Sequence, residues 1–193
     1  FRSSPATACS SHAYAIAHPH IGKGSPRLLR LTRIAFLLAE DRWKNVWRQH
    51  GIFQPTKKDK AFDLAQTIEH LQFLNLDRDM AIAMDAQEAQ KICGIGQNGV
   101  WLPRGACLNL YEASRQLLQS HERLTCIWNN RVARLEKSSD TWRLFDDLNQ
   151  LIVSADKVVI ACATETKALL TSIDIRLPLK PVRGQLSIFS ISK

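Results

Sequence analysis

The segment Cys9-Ser-Ser-His-Ala-Tyr-Ala-Ile-Ala-His-Pro-His20 concentrates imidazoles, hydroxyls and small side chains. Its histidines, His12, His18 and His20, follow no common zinc spacing and have no cysteine pair beside them, so no metal is expected. Small residues and hydroxyls around Ser10, Ser11 and His12 instead suit backbone N–H groups that meet the anionic or carbonyl oxygens of a ligand. A second candidate lies at Asp156-Lys-Val-Val-Ile-Ala-Cys-Ala-Thr164. There the short apolar run Val158 to Ala161 ends in small residues, the composition of a buried parallel strand whose end, at Ala163 and Thr164, lets a ligand approach the main chain. Arg183, just before Gly184, offers a guanidinium that can clamp a carboxylate bidentately, and Arg104 is a weaker candidate for that task. An arginine before a turn glycine equally serves as a structural brace, and both readings of Arg183 stay open. Hydrolysis by a Ser/His/Asp set is not supported, because no serine sits in a G-x-S-x-G elbow.

The elements that must position these residues divide the chain. Residues 1–24 show no long helical or strand period and are expected to be loop. Ser25-Pro26 is a helix start, since serine caps the first free N–H groups and proline fits the first turn. Leu28, Leu31, Ala35 and Leu38 then recur at helical spacing, and Phe36, Trp43 and Trp47 extend the stripe to about Gly51. A second helix is expected from about Lys57 to Leu74, and a short one follows the capping pattern of Asp85 and Glu88 and ends near Gly94. Asn98-Gly99 marks a turn, Val100 to Leu102 a strand, and another helix follows Pro103. The period then changes to short strands in a meander: Leu124 to Trp128, Val132 to Leu135, Thr141 to Phe145 and Leu151 to Val153, before the run Val158 to Ala161. The expected fold class is α/β, or α+β for this piece taken alone, with a boundary near Gly99.

The 193 residues can bury a real core, and 45% hydrophobic with 23% charged residues is ordinary for a globular protein. The chain opens at Phe1 and closes just after a strand-like run, which reads as an internal fragment of a longer polypeptide. No apolar run approaches membrane-spanning length. Five scattered cysteines, Cys9, Cys93, Cys107, Cys126 and Cys162, form no C-x-x-C pair and read as reduced thiols of a cytoplasmic protein. The net charge of +8 suits an anionic partner such as RNA without requiring one.

The order of these pieces resembles the later half of FAD-dependent amine oxidoreductases of the D-amino-acid oxidase and glycine oxidase superfamily. Gly99-Val-Trp-Leu-Pro103 is similar to the point where such chains re-enter the cofactor domain, with Trp101 near the domain boundary. The strand ending in Ala163 is similar to one that commonly ends Ala-x-Gly beside the FAD, and Ala163 departs from that glycine. Cys9 to Pro19 resembles the flavin-contact loop Ala-Ser-Gly-Asn-x-x-Gly-x-x-x-Pro of one branch, with both glycines and the asparagine changed. That branch is the oxidoreductase half of bifunctional tRNA-modifying proteins whose methyltransferase half, the user of S-adenosylmethionine, would lie upstream.

The resemblance implies a flavin-contact region over 1–24, a helical substrate-side part over 25–98 and a partial FAD-binding domain over 99–193 that carries the meander and the buried strand. It implies FAD as cofactor, with Ser10, Ser11, His12, Val132, Ala163 and Thr164 beside it and Arg183 and Trp101 facing substrate. It also implies tRNA as partner and oxidative loss of the carboxymethyl group from a carboxymethylaminomethyl uridine at the wobble position. No G-x-G-x-x-G follows a strand, so the pyrophosphate cradle is missing and the piece alone is expected to bind FAD poorly and to be inactive. Two other readings stay open: an oxidase of small amines such as glycine or sarcosine, and a non-catalytic basic module that binds RNA or protein.

Overall fold

The computed structural model describes residues 11–182 apart from Ala13, Lys23, His50 and 58–60, together with Gly184 and Ser187. Helices and small antiparallel sheets are mixed along the chain, consistent with a partial α/β flavoprotein fold. Two compact units divide at Leu124/Thr125. They do not divide near Gly99, because that residue opens a strand paired on both sides within the first unit.

In the first unit, β1 (Ala15–Ala17) is followed by α1 (Pro26–Arg42). Ser25 caps α1, its Oγ accepting from the Leu28 N–H at 3.3 Å, as the sequence predicts. The buried stripe of α1 differs from the expected one: Phe36 is buried and Leu29, Arg33, Ala39 and Glu40 are half-buried, whereas Leu28, Leu31 and Leu38 are exposed. The helix also stops at Arg42 rather than running on to Gly51. Trp47 belongs instead to β2 (Trp47–Gln49), where it pairs with Leu108, so a long-range strand pairing overrides the local helical period. Its ring packs against Phe36 with centroids 5.5 Å apart.

β3 (Ile52–Pro55) leads to α2 (Leu64–Phe73), which starts at its Asp63 cap rather than near Lys57. The Asp63 carboxylate accepts from the Gln66 N–H at 3.0 Å. β4 (Ile82–Met84) then enters α3 (Ala86–Cys93), capped by Asp85 and closed by Gly94 in the left-handed region. β5 (Gly99–Leu102) begins at Gly99, so the Asn98-Gly99 step enters a strand directly. The helix expected straight after Pro103 is preceded by a further strand, β6 (Ala106–Leu108), and becomes α4 (Leu110–Gln119). β6 lies between β1 and β2, and β5 lies between β3 and β4. Residues 15–17, read as loop, are therefore a strand held by β6.

Alternation across β3, β5 and β4 turns Ile52, Val100, Leu102 and Ala83 to the core with Phe36, Leu71, Leu76 and Met80. Arg33 of α1 donates from Nη1 to the carbonyls of Asn75 at 2.7 Å and Leu74 at 3.4 Å, just past the end of α2.

The second unit contains the meander β7 (Arg134–Ser138), β8 (Thr141–Phe145) and β9 (Leu151–Ala155), antiparallel in that order. A 3₁₀ turn (Ala163–Glu165) leads into α5 (Thr166–Thr171). Among the described residues of this unit Leu135, Leu169 and Leu170 are the buried ones, and the Ser172 Oγ accepts from the Leu135 N–H at 3.0 Å, which ties α5 to β7. Two expected strands are corrected. Leu124 to Trp128 is irregular and exposed. Val158 to Ala161 is not a strand either: β7, β8 and β9 pair among themselves, and no strand among the described residues is available to take its N–H and C=O groups. The strand placed at Val132 to Leu135 starts at Arg134 and runs on to Ser138.

Candidate functional site

The apolar run 158–162 leaves β9 past a bend at Asp156 and shares a cleft with Leu135 and Leu144 of the sheet. Between it, the irregular segment 127–133 and the start of α5 lies a cleft of about 940 Å³. Val132 lines this cleft from one side. Val158, Ile160 and Cys162 line it too, as do the buried Leu135 and Leu169. A volume of this size is within the range of sites for an extended organic ligand. Arg131 and Glu165 are both cleft residues and pair at 3.6 Å, although each side chain is largely exposed.

Ala163 and Thr164 stand in the turn between Cys162 and Glu165, two residues that line the cleft, but they do not line it themselves and are exposed. Ala163 has φ +47°, the left-handed region in which an L side chain is strained and glycine is favoured. Its backbone therefore takes the conformation suited to the glycine that the sequence lacks.

The other sequence-derived candidates lie elsewhere. Ser11 and His12 are exposed in the first unit, and the His12 carbonyl accepts from the Leu110 N–H at 3.2 Å at the start of α4. Ser10 and Arg183 lie outside the described residues. Trp101 is half-buried in β5, directly across from Phe53, and packs against Gly51, whose φ of +69° is accompanied by a backbone so close that a Cβ there would collide with the indole Cζ2.

Arg104 is held by Glu40 through two hydrogen bonds and by Asp79 at 3.5 Å. The hydrogen bonding to Glu40 pushes its pKa above the ordinary arginine value. A guanidinium so occupied braces α1 against the β5–β6 turn and is a poor choice for a substrate carboxylate. Among the described residues, no group of three or more His, Cys, Asp or Glu side chains could hold a metal ion, and no helix is long and apolar enough to cross a membrane.

Sequence reasoning did not single out the wall from Ile127 to Arg131, which is uniformly exposed and irregular where a strand is expected through Trp128. The spacing G-x-G-x-x-G does occur, at Gly94-Ile-Gly-Gln-Asn-Gly99, but there the chain leaves α3 and enters β5. That order is the reverse of the strand-to-helix turn in which helix N–H groups face a pyrophosphate. The described residues thus offer an apolar cleft with a glycine-like turn beside it, and among them no strand-to-helix glycine turn of the kind that cradles a pyrophosphate.

A family model described as FAD dependent oxidoreductase matches residues 2–193. The tRNA 5-methylaminomethyl-2-thiouridine biosynthesis bifunctional protein MnmC of Ralstonia nicotianae is 30% identical over 192 residues, covering 95% of this chain and 29% of that protein. Its counterpart in Burkholderia orbicola is 28% identical, covering 95% of this chain and 30% of that protein. The chain thus spans under a third of the length of these curated relatives. Among solved structures, a variant of NikD, an unusual amino acid oxidase essential for nikkomycin biosynthesis, superposes with a TM-score of 0.64 at 19% identity, covering 86% of this chain and 44% of that one. Glycine oxidase from Bacillus cereus superposes with a TM-score of 0.54 at 15% identity, covering 86% and 49% of the two chains. At such identities these likenesses speak for the fold.

Proposed function

Since the chain belongs to the family of FAD-dependent oxidoreductases, we propose that it is part of an enzyme that oxidatively removes the carboxymethyl group from carboxymethylaminomethyl-(2-thio)uridine at the tRNA wobble position. The observation that carries this reading is the likeness, over 95% of the chain, to relatives named for tRNA 5-methylaminomethyl-2-thiouridine biosynthesis. The net charge of +8 agrees with a polyanionic partner. In this reading the enzyme works in the cytoplasm.

FAD, when bound, accepts the two electrons and the hydrogen that leave the carbon between amine and carboxylate. The protein's task is to hold that C–H bond in line and to receive the amine unprotonated, which requires position rather than an acid–base pair. In this reading Ser10, Ser11, His12, Val132, Ala163 and Thr164 are the residues that meet the cofactor. Trp101 faces the substrate side and Arg183 takes its carboxylate. A methyltransferase half lies elsewhere in the polypeptide in this reading. The 193-residue chain alone neither retains FAD nor turns over.

The test is to incubate the full-length polypeptide, loaded with FAD, with tRNA carrying the carboxymethylaminomethyl modification and to analyse its nucleosides by mass spectrometry. Conversion to the aminomethyl form is the expected result. Turnover of glycine or sarcosine with the tRNA untouched would replace this reading with that of a small-amine oxidase.

A further inference from the structure

α1 carries apolar side chains on two opposite faces. One face turns Phe36 into the core of the first unit, with Leu29 half-buried beside it. The other presents Leu28, Leu31, Ile34, Ala35 and Leu38, all exposed, Leu31 at 63% and Leu38 at 65%. Leu28, Leu31, Ala35 and Leu38 follow one another at intervals of three, four and three, the spacing of side chains that close a seam between two helices. A lone leucine in water needs no explanation, but a contiguous apolar stripe along a helix marks a contact surface.

The charges at the two ends of the stripe point to what covers it. Arg27 stands in the first turn of α1 and Asp41 in the last, each about two turns from Ile34 and on the same side of the stripe. Neither belongs to an ion pair among the described residues. Both are also misplaced for their own helix. A helix carries partial positive charge at its N-terminal end and partial negative charge at its C-terminal end, so each of the two meets its like sign. An antiparallel neighbour with the same two residues removes both conflicts. A two-fold axis passing beside Ile34 brings Arg27 of each copy level with Asp41 of the other, and each charge then lies by the end of the neighbouring helix that suits it. The same axis sets Leu28 and Leu31 of one helix against Leu38 and Ala35 of the other. A partner of different sequence would have to reproduce this spacing, whereas a second copy already has it.

We propose that the exposed face of α1 is a self-association surface, on which a second copy of the protein packs its own α1 antiparallel. The seam is a single helix long, which makes the dimer reversible rather than permanent.

The experiment is sedimentation equilibrium of the full-length, FAD-loaded polypeptide over a range of concentrations, with thermal melting as the check on folding. The wild type should show a monomer–dimer equilibrium. Leu31→Glu and Leu38→Glu, at positions already in water, should weaken the dimer on the order of a hundredfold and leave the monomer's melting temperature unchanged. Arg27→Glu alone and Asp41→Arg alone should each weaken it by about tenfold, because each sets two like-charged pairs across the seam. Arg27→Glu with Asp41→Arg restores opposite charges and should bring the wild-type affinity back. A wild type that stays monomeric at every concentration overturns the proposal, and a fall in its melting temperature with Leu31→Glu would then show that the rest of its own polypeptide covers this face. A dimer that survives Leu31→Glu and Leu38→Glu uses another surface and overturns it too. A double charge variant no tighter than the single ones overturns the antiparallel pairing.

Discussion

The two compact units hide their apolar residues to very different degrees. Between residues 4 and 124, Phe36, Leu71, Leu76, Met80, Val100 and Leu102 close into one core, with β3, β5 and β4 on one side and α1 and α2 contributing to the other. Between 125 and 193, Leu135, Leu169 and Leu170 are the buried hydrophobic residues among those described, while Val159 is 91% exposed and Ile127 50%. Hydrophobic composition alone does not distinguish these regions. The difference lies in hydrogen-bonding partners: an apolar segment can be buried only where its main chain is also satisfied. The first unit supplies partners for all its strands by pairing residues far apart in sequence. The second pairs only its local meander and leaves the run at 158–161 without a strand beside it.

The largest effect expected from this contrast is in the first unit. Leu102 is fully buried at the end of β5, and Leu102→Ala should cost about 2–5 kcal/mol through lost burial and a residual cavity. Urea denaturation followed by circular dichroism measures it, and a loss under 1 kcal/mol, on the scale of ordinary substitutions, would show that this core is not the one described. A smaller effect of opposite sign is expected at the turn of the second unit. Ala163→Gly removes a methyl from a left-handed residue and should stabilise by about 0.5–1 kcal/mol, the relief of strain exceeding the added chain entropy. A lower denaturation midpoint in the glycine variant would contradict the assigned backbone conformation. The smallest is Val159→Ser, which should change stability by no more than about 0.5 kcal/mol because the side chain is already in water. A loss of 2 kcal/mol or more, the size of a core truncation, would mean that this run is covered in solution and would erase the contrast between the units.

What could be read from the sequence was local. Ser25-Pro26 and Asp85 with Gly94 announce themselves because a side-chain oxygen, a ring or a tolerated positive φ acts within a few residues. The meander β7–β9 was legible for the same reason. What was not legible depended on distant partners. Trp47 reads as helical until Leu108 takes it into a sheet, and Ala15–Ala17 reads as loop until β6 pairs with it. The faces of α1 were assigned by spacing to Leu28, Leu31 and Leu38, but spacing cannot say which of two apolar stripes meets the rest of the protein. Beside the cleft at Val132, the small residues that follow Ala161 carry a compositional signature, whereas the wall at 127–131 is exposed and irregular. Arg104 shows the same limit for charge, since its fate was decided by Glu40, which lies in a different element.

The bonds from Arg33 to the carbonyls of Leu74 and Asn75 have a kinetic corollary. The guanidinium is planar and donates to the main chain just beyond α2, so α1 cannot swing away without stripping those carbonyls of their donor. Fluctuations that expose one helix must then expose the other, and their amides should exchange with deuterium as one cooperative block rather than fraying separately. A single side chain thereby sets the size of the smallest piece of this unit that can open.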